Sequence, residues 1–295
     1  MKNVILISTL LMLVACGANE KEYDATGTFE ATETIVSAEQ SGVLLHFDVE
    51  EGNVLKQGQE VGLVDTTQVW LKIQQTSAMK AVYRSQKPDM EAQIAAIRQQ
   101  LTKAQQEQQR YQELVADGAA PSKILDDAAN QVKVLQKQLA AQQSALSTNI
   151  QTLDKQMATA DVQVSQLQDQ LRKCHITTPA QGTVLEKYVE QGELVSVGKP
   201  LFKVADVGQM FLRAYVTSVQ LQHIKIGQQV KVFADYGDGG KKGYDGKVSW
   251  ISSRSEFTPK TILTDDERAD LVYAVKVAVK GDGYIKIGMY GGVQF

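Results

Sequence analysis

Cysteine is almost missing from this chain: 295 residues hold two, Cys16 and Cys174. With one of them assigned to processing below, the mature chain has no second thiol for an internal disulfide. Histidine is as scarce, with His46, His175 and His223 scattered along the chain. Cys174 and His175 are adjacent, but two neighbouring ligands without a second pair make poor zinc geometry. No metal or cofactor is therefore expected. An excess of charge of one sign is also lacking, since 31 basic residues face 34 acidic ones for a net charge of −3. No lysine and arginine stripe forms, which argues against nucleic acid as a partner. Asp265, Asp266, Glu267 and Asp270 cluster, yet without the alternation and central glycine of a calcium loop. They read as a solvated loop or helix start. No Ser/His/Asp set, phosphate loop or ligand cluster supports catalysis, so no catalytic residue is assigned and the chain is not read as an enzyme.

Glycine and proline are missing from residues 89–173 except at Gly118 and Pro121. The remainder is rich in Gln, Ala, Leu, Lys and Glu, which favour helix. One reversal at 118–121 with a helix on each side is predicted. On the return arm Leu139, Leu146, Leu153, Ala160 and Leu167 recur every seven residues, and Ile150, Met157, Val164 and Leu171 form a second column four residues out of phase. Such columns are the seam of a left-handed coiled coil. Met90, Ile94, Ile97, Leu101, Ala104 and Tyr111 keep a similar rhythm on the outgoing arm. Gly118 can end that arm in the left-handed conformation. Ser122 is the expected N-cap of the return arm, with Asp126 and Asp127 in its opening turns. Arg172 and Lys173 complement its C-terminal dipole, and Pro179 forbids continuation. Residues 123–173 span roughly 75 Å as helix at 1.5 Å per residue. The outgoing arm needs 66–87 to match, with a kink or short break at Pro88.

The hairpin interrupts a repeat. Residues 42–65, GVLLHFDVEEGNVLKQGQEVGLVD, return 140 positions later as GTVLEKYVEQGELVSVGKPLFKVA, residues 182–205. Gly42, Leu45, Val49, Glu50, Gly52, Gly58 and Val64 are identical to their counterparts. Alternating apolar residues argue strands with one buried face, and the glycines mark turns. Neither copy can bury a core alone, so the two must pair. The pattern resembles the biotinyl/lipoyl carrier domain, whose halves are pseudo-symmetric. A working carrier joins them through a tight turn bearing a modifiable lysine. Here 116 residues, 66–181, occupy that junction, and Lys56 lies inside one half. A structural mimic of a carrier is expected, with no biotin or lipoate.

After Met210 the runs MFLRAYV, QQVKVFAD, GKVSWIS, LVYAVKVAV and GMYGGVQF alternate with turn clusters and predict a small β-barrel. The run Thr28 to Val36 is a candidate additional strand for it. At the other end, MKNVILISTLLMLVACGANE has one positive residue and an apolar run, Val4 to Val14, too short to span a bilayer as a mature helix. Leu13-Val14-Ala15-Cys16 resembles the bacterial lipobox, which implies cleavage before Cys16 and a lipid on its thiol, holding the chain to a membrane. Gly17 follows, without the aspartate that retains enteric lipoproteins at the inner membrane, so the leaflet is left open. The organisation expected is a signal peptide at 1–15, a linker and barrel strand at 16–35, and a lipoyl-like domain at 36–65 plus 176–206. A coiled-coil hairpin at 66–175 and a barrel at 207–295 complete it. The fold class is mixed α and β, elongated and multidomain: a split lipoyl-like β-sandwich with an inserted helical hairpin, followed by a barrel.

Taken together these parts resemble the periplasmic adaptors, or membrane fusion proteins, of the HlyD family. Residues 256–279, EFTPKTILTDDERADLVYAVKVAV, are similar to a barrel signature of members that pair with ABC-type exporters. The family's Leu-x-Pro-Gly-Met stretch reads Ile285-Lys286-Ile287-Gly288-Met289 here, without its proline. Family hairpin tips often carry Arg-x3-Leu-x6-Ser. Arg110 and Leu114 fit the first two elements; Ser122 fits with one extra residue between and Pro121 before it. The resemblance implies an inner-membrane transporter and a TolC-like outer-membrane channel as partners, a ring of copies (usually six), and a periplasmic location. A structural envelope lipoprotein and a carrier component of a multienzyme complex stand as alternatives.

Overall fold

The structure is a computed structural model that describes residues 23–237, 240–257 and 271–295. It divides into two compact units. One comprises Met1–Ala38, Leu44–Gly62 and Ile176–Phe295; the other comprises Glu39–Val43 and Leu63–His175. The mixed α and β class expected from the sequence is the one observed. Cys16 and the acidic cluster 265–270 lie outside the described residues, as does most of the 256–279 signature.

The first unit holds the strands of a β-sandwich and a barrel, except for three strand ends that fall in the second. The strands are β1 (Ala25–Ser37), β2 (Gly42–Phe47), β3 (Val54–Leu55), β4 (Glu60–Val64), β5 (His175–Thr177), β6 (Gly182–Lys187), β7 (Leu194–Val195), β8 (Pro200–Thr217), β9 (Gln229–Asp235), β10 (Lys241–Phe257), β11 (Leu271–Lys280) and β12 (Tyr290–Gln294). The ends that fall in the second unit are those of β2, β4 and β5. One sheet of the sandwich runs β5-β4-β2-β7, and the other joins the C-terminal half of β1 to β8, β6 and β3. Leu44, Val49, Val61, Val184, Val195, Leu201 and Phe202 are fully buried between them, with the rings of Phe47 and Phe202 6.1 Å apart.

The repeat is visible bond by bond. Leu44 N donates to Glu193 O at 2.9 Å, and 140 positions on Val184 N donates to Asn53 O at 2.9 Å. Gly192 N to Leu44 O, 2.8 Å, has its mate in Gly52 N to Val184 O, 2.9 Å. Each half therefore completes the other, which is why neither is a domain alone. The equivalence extends upstream of the identities: Gly58 N donates to Thr178 O and Gly198 N to Ala38 O, both at 2.8 Å. The symmetry fails in the core, where Phe47 answers to Lys187 and Gly62 to Phe202; the Lys187 ammonium instead lies over the Phe47 ring at 5.8 Å.

Strands β1, β12, β9, β10, β11 and β8 pair antiparallel in that order, and β8 returns to β1, closing a six-stranded barrel. Closure leaves no free edge on this ring. Inward-facing Phe29, Met210, Leu212, Val232, Val275, Val277 and Val293 fill it. The candidate strand Thr28 to Val36 lies within β1, whose first half belongs to the barrel and second half to the sandwich. β8 makes the same passage. At the crossing a single residue, Thr32, opposes Asp206–Gln209, and the Asp206 carboxylate accepts from Gly208 N at 3.0 Å. Beside the β9–β10 turn Lys242 pairs with Asp282, whose carboxylate also accepts from Tyr244 Oη and Tyr284 N, both at 2.9 Å. These donors, the Lys242 ammonium first, hold the Asp282 carboxyl far below the usual carboxylate range.

The second unit is helical: α1 (Thr67–Ser85), α2 (Met90–Ala116) and α3 (Ser122–Cys174). Pro88 sits in the gap between α1 and α2, where Asp89 caps α2 by accepting from Ala92 N at 3.1 Å. On α3 Leu146, Leu153 and Ala160 are buried and Leu139 and Leu167 half-buried, so the first predicted column faces inward; it continues back to buried Val132. The second column shifts phase. Leu135 is buried and Gln142 half-buried seven residues on, but Ile150 follows after eight. That shift lies near the α1–α2 gap, because Lys87 reaches Asp154 at 3.0 Å and Lys80 reaches Asp161. Buried Cys174 Sγ donates to Gln170 O at 3.4 Å, and burial pushes its thiol pKa up. Among the described residues no helix is long and apolar enough to cross a membrane.

Candidate docking tip

The reversal between α2 and α3 is built by backbone chemistry. Gly118 adopts φ +72°, a left-handed conformation that non-glycine residues avoid. Ala119 N donates to Leu114 O at 2.8 Å and Gly118 N to Val115 O at 3.1 Å. This six-to-one and five-to-two pair is a Schellman motif, which satisfies carbonyls that the helix end would leave open. Pro121, extended at ψ 144°, is the flanking residue that starts α3.

Here the structure corrects the sequence. Ser122 is not the N-cap; it is the first helical residue, one position too far along for its hydroxyl to cap the turn. The extended backbone that a cap requires is already supplied by Pro121, whose ring fixes φ at −69°. Ser122 is exposed.

Arg110 and Leu114 are four residues apart on α2 and so share one face. Arg110 is exposed, its guanidinium 5.3 Å from the centroid of the Tyr111 ring. The Leu114 side chain is 38% exposed while its carbonyl is locked in the turn. Ser122 stands across the turn, on α3. Sequence reasoning missed Ile124, 37% exposed in the first turn of α3. Its place outside both apolar columns was the available signal. The tip thus offers a guanidinium, a hydroxyl and two aliphatic side chains around a rigid turn. This set can hydrogen-bond carbonyls and fill shallow grooves, and it contains no nucleophile–base pair.

The other candidates resolve simply. Lys56 is exposed in a turn, with its N–H bonded to Gln59 Oε1 at 3.0 Å. His46 Nε2 lies 2.7 Å from the Asp48 carboxylate. Among the described residues no three His, Cys, Asp or Glu side chains gather as a metal site.

No protein-family model matches the chain. It is similar to the UPF0194 membrane protein in the asrC 5' region of Acidithiobacillus ferridurans, 27% identical over 92% of this chain and 86% of that protein. Its fold is similar to that of the membrane fusion protein Spr0693 from Streptococcus pneumoniae R6, with a TM-score of 0.58 and 18% identity over 91% of this chain and 97% of that one. MacA from Actinobacillus actinomycetemcomitans gives a TM-score of 0.56 and 23% identity over 91% of this chain and 76% of that one. The chain has the membrane fusion protein fold. That fold accounts for the split repeat: the helical arms leave and re-enter the β-sandwich through Asp65 and His175, so the reversal at Gly118 is far in sequence from either half.

Proposed function

We propose that the chain is a periplasmic adaptor subunit of a tripartite efflux or secretion pump, bridging an inner-membrane transporter to a TolC-like outer-membrane channel. The observation that carries this reading is a β-sandwich completed across a helical insertion, Thr67–Cys174, whose turn is closed by a Schellman motif and carries exposed Arg110, Leu114 and Ser122. A coiled coil of this length buries little surface for its size, and stability does not require it; reaching a distant partner does. In this reading the domains divide as the sequence predicts, and Cys16 carries the lipid that holds the protein at the membrane. Copies assemble into a ring of about six by analogy with the fold. The barrels sit at the transporter, with the ABC class favoured by the 256–279 segment. Arg110 donates to carbonyls at the channel's helical turns, Leu114 fills a groove beside them, and Ser122 adds a hydroxyl contact. The chain carries no chemistry of its own; energy comes from the transporter, and the adaptor transmits conformational change.

In-cell crosslinking from photoreactive residues placed near the tip and on the barrel tests this. A channel protein is captured at the tip and a transporter at the barrel, and Arg110→Asp lowers the channel yield several-fold while leaving the transporter yield unchanged. Capture of neither partner refutes the pump reading. Capture of both with no effect of Arg110→Asp removes the tip assignment alone.

A further inference from the structure

The N-terminal end of β1 is clamped to the barrel more firmly than a linker end needs to be. The Tyr23 ring packs over Gly292 and stands 5.5 Å from the Phe233 ring, with the Lys241 ammonium 4.7 Å from its centroid. Asp24 is bonded on three sides. Its N–H donates to Val293 O at 3.0 Å, its carboxylate accepts from Phe295 N at 2.9 Å, and its carbonyl accepts from Gln220 Nε2. Gln220 belongs to α4 (Ser218–Leu221), whose capping box with Thr217 fixes that turn against the same rim. The rim around this clamp carries exposed aliphatic side chains. Val219 on α4 is 69% exposed and Ile226, ahead of β9, is 67% exposed. Leu271 opens β11, one residue before Val272, the partner of Thr217, and is 54% exposed. Ile224 between them is buried, so the loop is anchored from within while its neighbours point outward.

Cys16 precedes Tyr23 by seven residues. Fully extended, seven residues reach at most about 25 Å. A lipid on Cys16, as the proposed function assumes, therefore cannot lie farther than that from the clamp. We infer that this rim of the barrel, led by Val219 and Ile226, rests on a phospholipid surface, with the clamp at Tyr23 and Asp24 setting its orientation. Three aliphatic side chains around a short tether match an interfacial contact. The occupant is lipid instead of protein because the tether brings the rim to the bilayer whether or not a transporter is present.

The test uses full-length acylated protein in vesicles of phosphatidylethanolamine and phosphatidylglycerol. Val219→Cys, Ile226→Cys and, as control, Leu45→Cys are made in a Cys174→Ser background and labelled with an environment-sensitive fluorophore. Labels at 219 and 226 shift to the blue and are quenched by nitroxide lipids, whereas the label at 45 keeps water-like emission. Water-like emission at 219 and 226 in protein that floats with the vesicles overturns the inference and leaves the anchor intact. A blue shift that needs added transporter, and persists in detergent without vesicles, overturns it in favour of a protein partner. A mass of the mature chain without acyl groups on Cys16 overturns the anchor and this inference together.

Discussion

Leu153→Ala is the substitution that most directly probes the hairpin seam. Leu153 is 6% exposed, in one inward column with Leu146 and Ala160. Removing its terminal carbons withdraws the equivalent of about three buried methylenes at ~0.8 kcal/mol each. Core truncations of this kind cost about 2–5 kcal/mol, depending on how far the cavity collapses. A two-layer helical seam has neighbours on one side only and closes more readily than a globular core, so a loss of about 2–3 kcal/mol is expected. The control is Val162→Ala nine residues along, on the outer face and 59% exposed. It removes little burial and gains helix propensity, so its effect lies within about 0.5 kcal/mol of zero. Urea titration followed by helical ellipticity measures both. The midpoint for Leu153→Ala falls while the slope stays constant. Equal effects at the two positions would refute the assignment of the inward face, and with it the coiled-coil account of the hairpin.

Two other outcomes follow from the β-unit. Gly52 and Gly192 occupy equivalent positions at φ +87° and +91°, and a Cβ at either would meet nothing. Alanine there adds backbone strain alone, about 1–2 kcal/mol, and the two losses match within error in thermal melts; a large inequality contradicts the bond-by-bond equivalence of the halves. Asp282→Asn weakens the barrel at neutral pH. Because folding depresses the Asp282 pKa, its contribution is present above the ordinary carboxylate range and is lost as pH falls through and below it. The Tm gap between wild type and variant therefore narrows on acidification, and a gap that widens refutes the Lys242 pairing.

Much of this was legible because periodicity survives where identity does not. The heptad column Leu139 to Leu167 and the 140-residue offset both stand in the sequence, and each maps onto a physical contact. The upstream reach of the repeat was hidden because its bonds are made by backbone groups: Ala38 and Thr178 accept equivalent bonds yet share no side-chain chemistry. Ser122 misled because a serine after a proline carries a capping signal that the proline's own extended backbone had made redundant. The phase shift at Gln142 was invisible for another reason. A half-buried glutamine keeps the seam continuous without adding an apolar residue to the pattern.

β1 and β8 run unbroken from sandwich to barrel, paired with each other on both sides of the Asp206–Gln209 bulge. Two β-units joined by a hydrogen-bonded ribbon behave differently from two beads on a string. Torque applied to one end is carried to the other through the ladder, and the compliance available to absorb it is concentrated in the four residues of β8, Asp206–Gln209, that face a single residue of β1. The bulge is thus the torsion spring of the strand pair, and stiffening or loosening it sets how much rotation at the barrel survives to the sandwich.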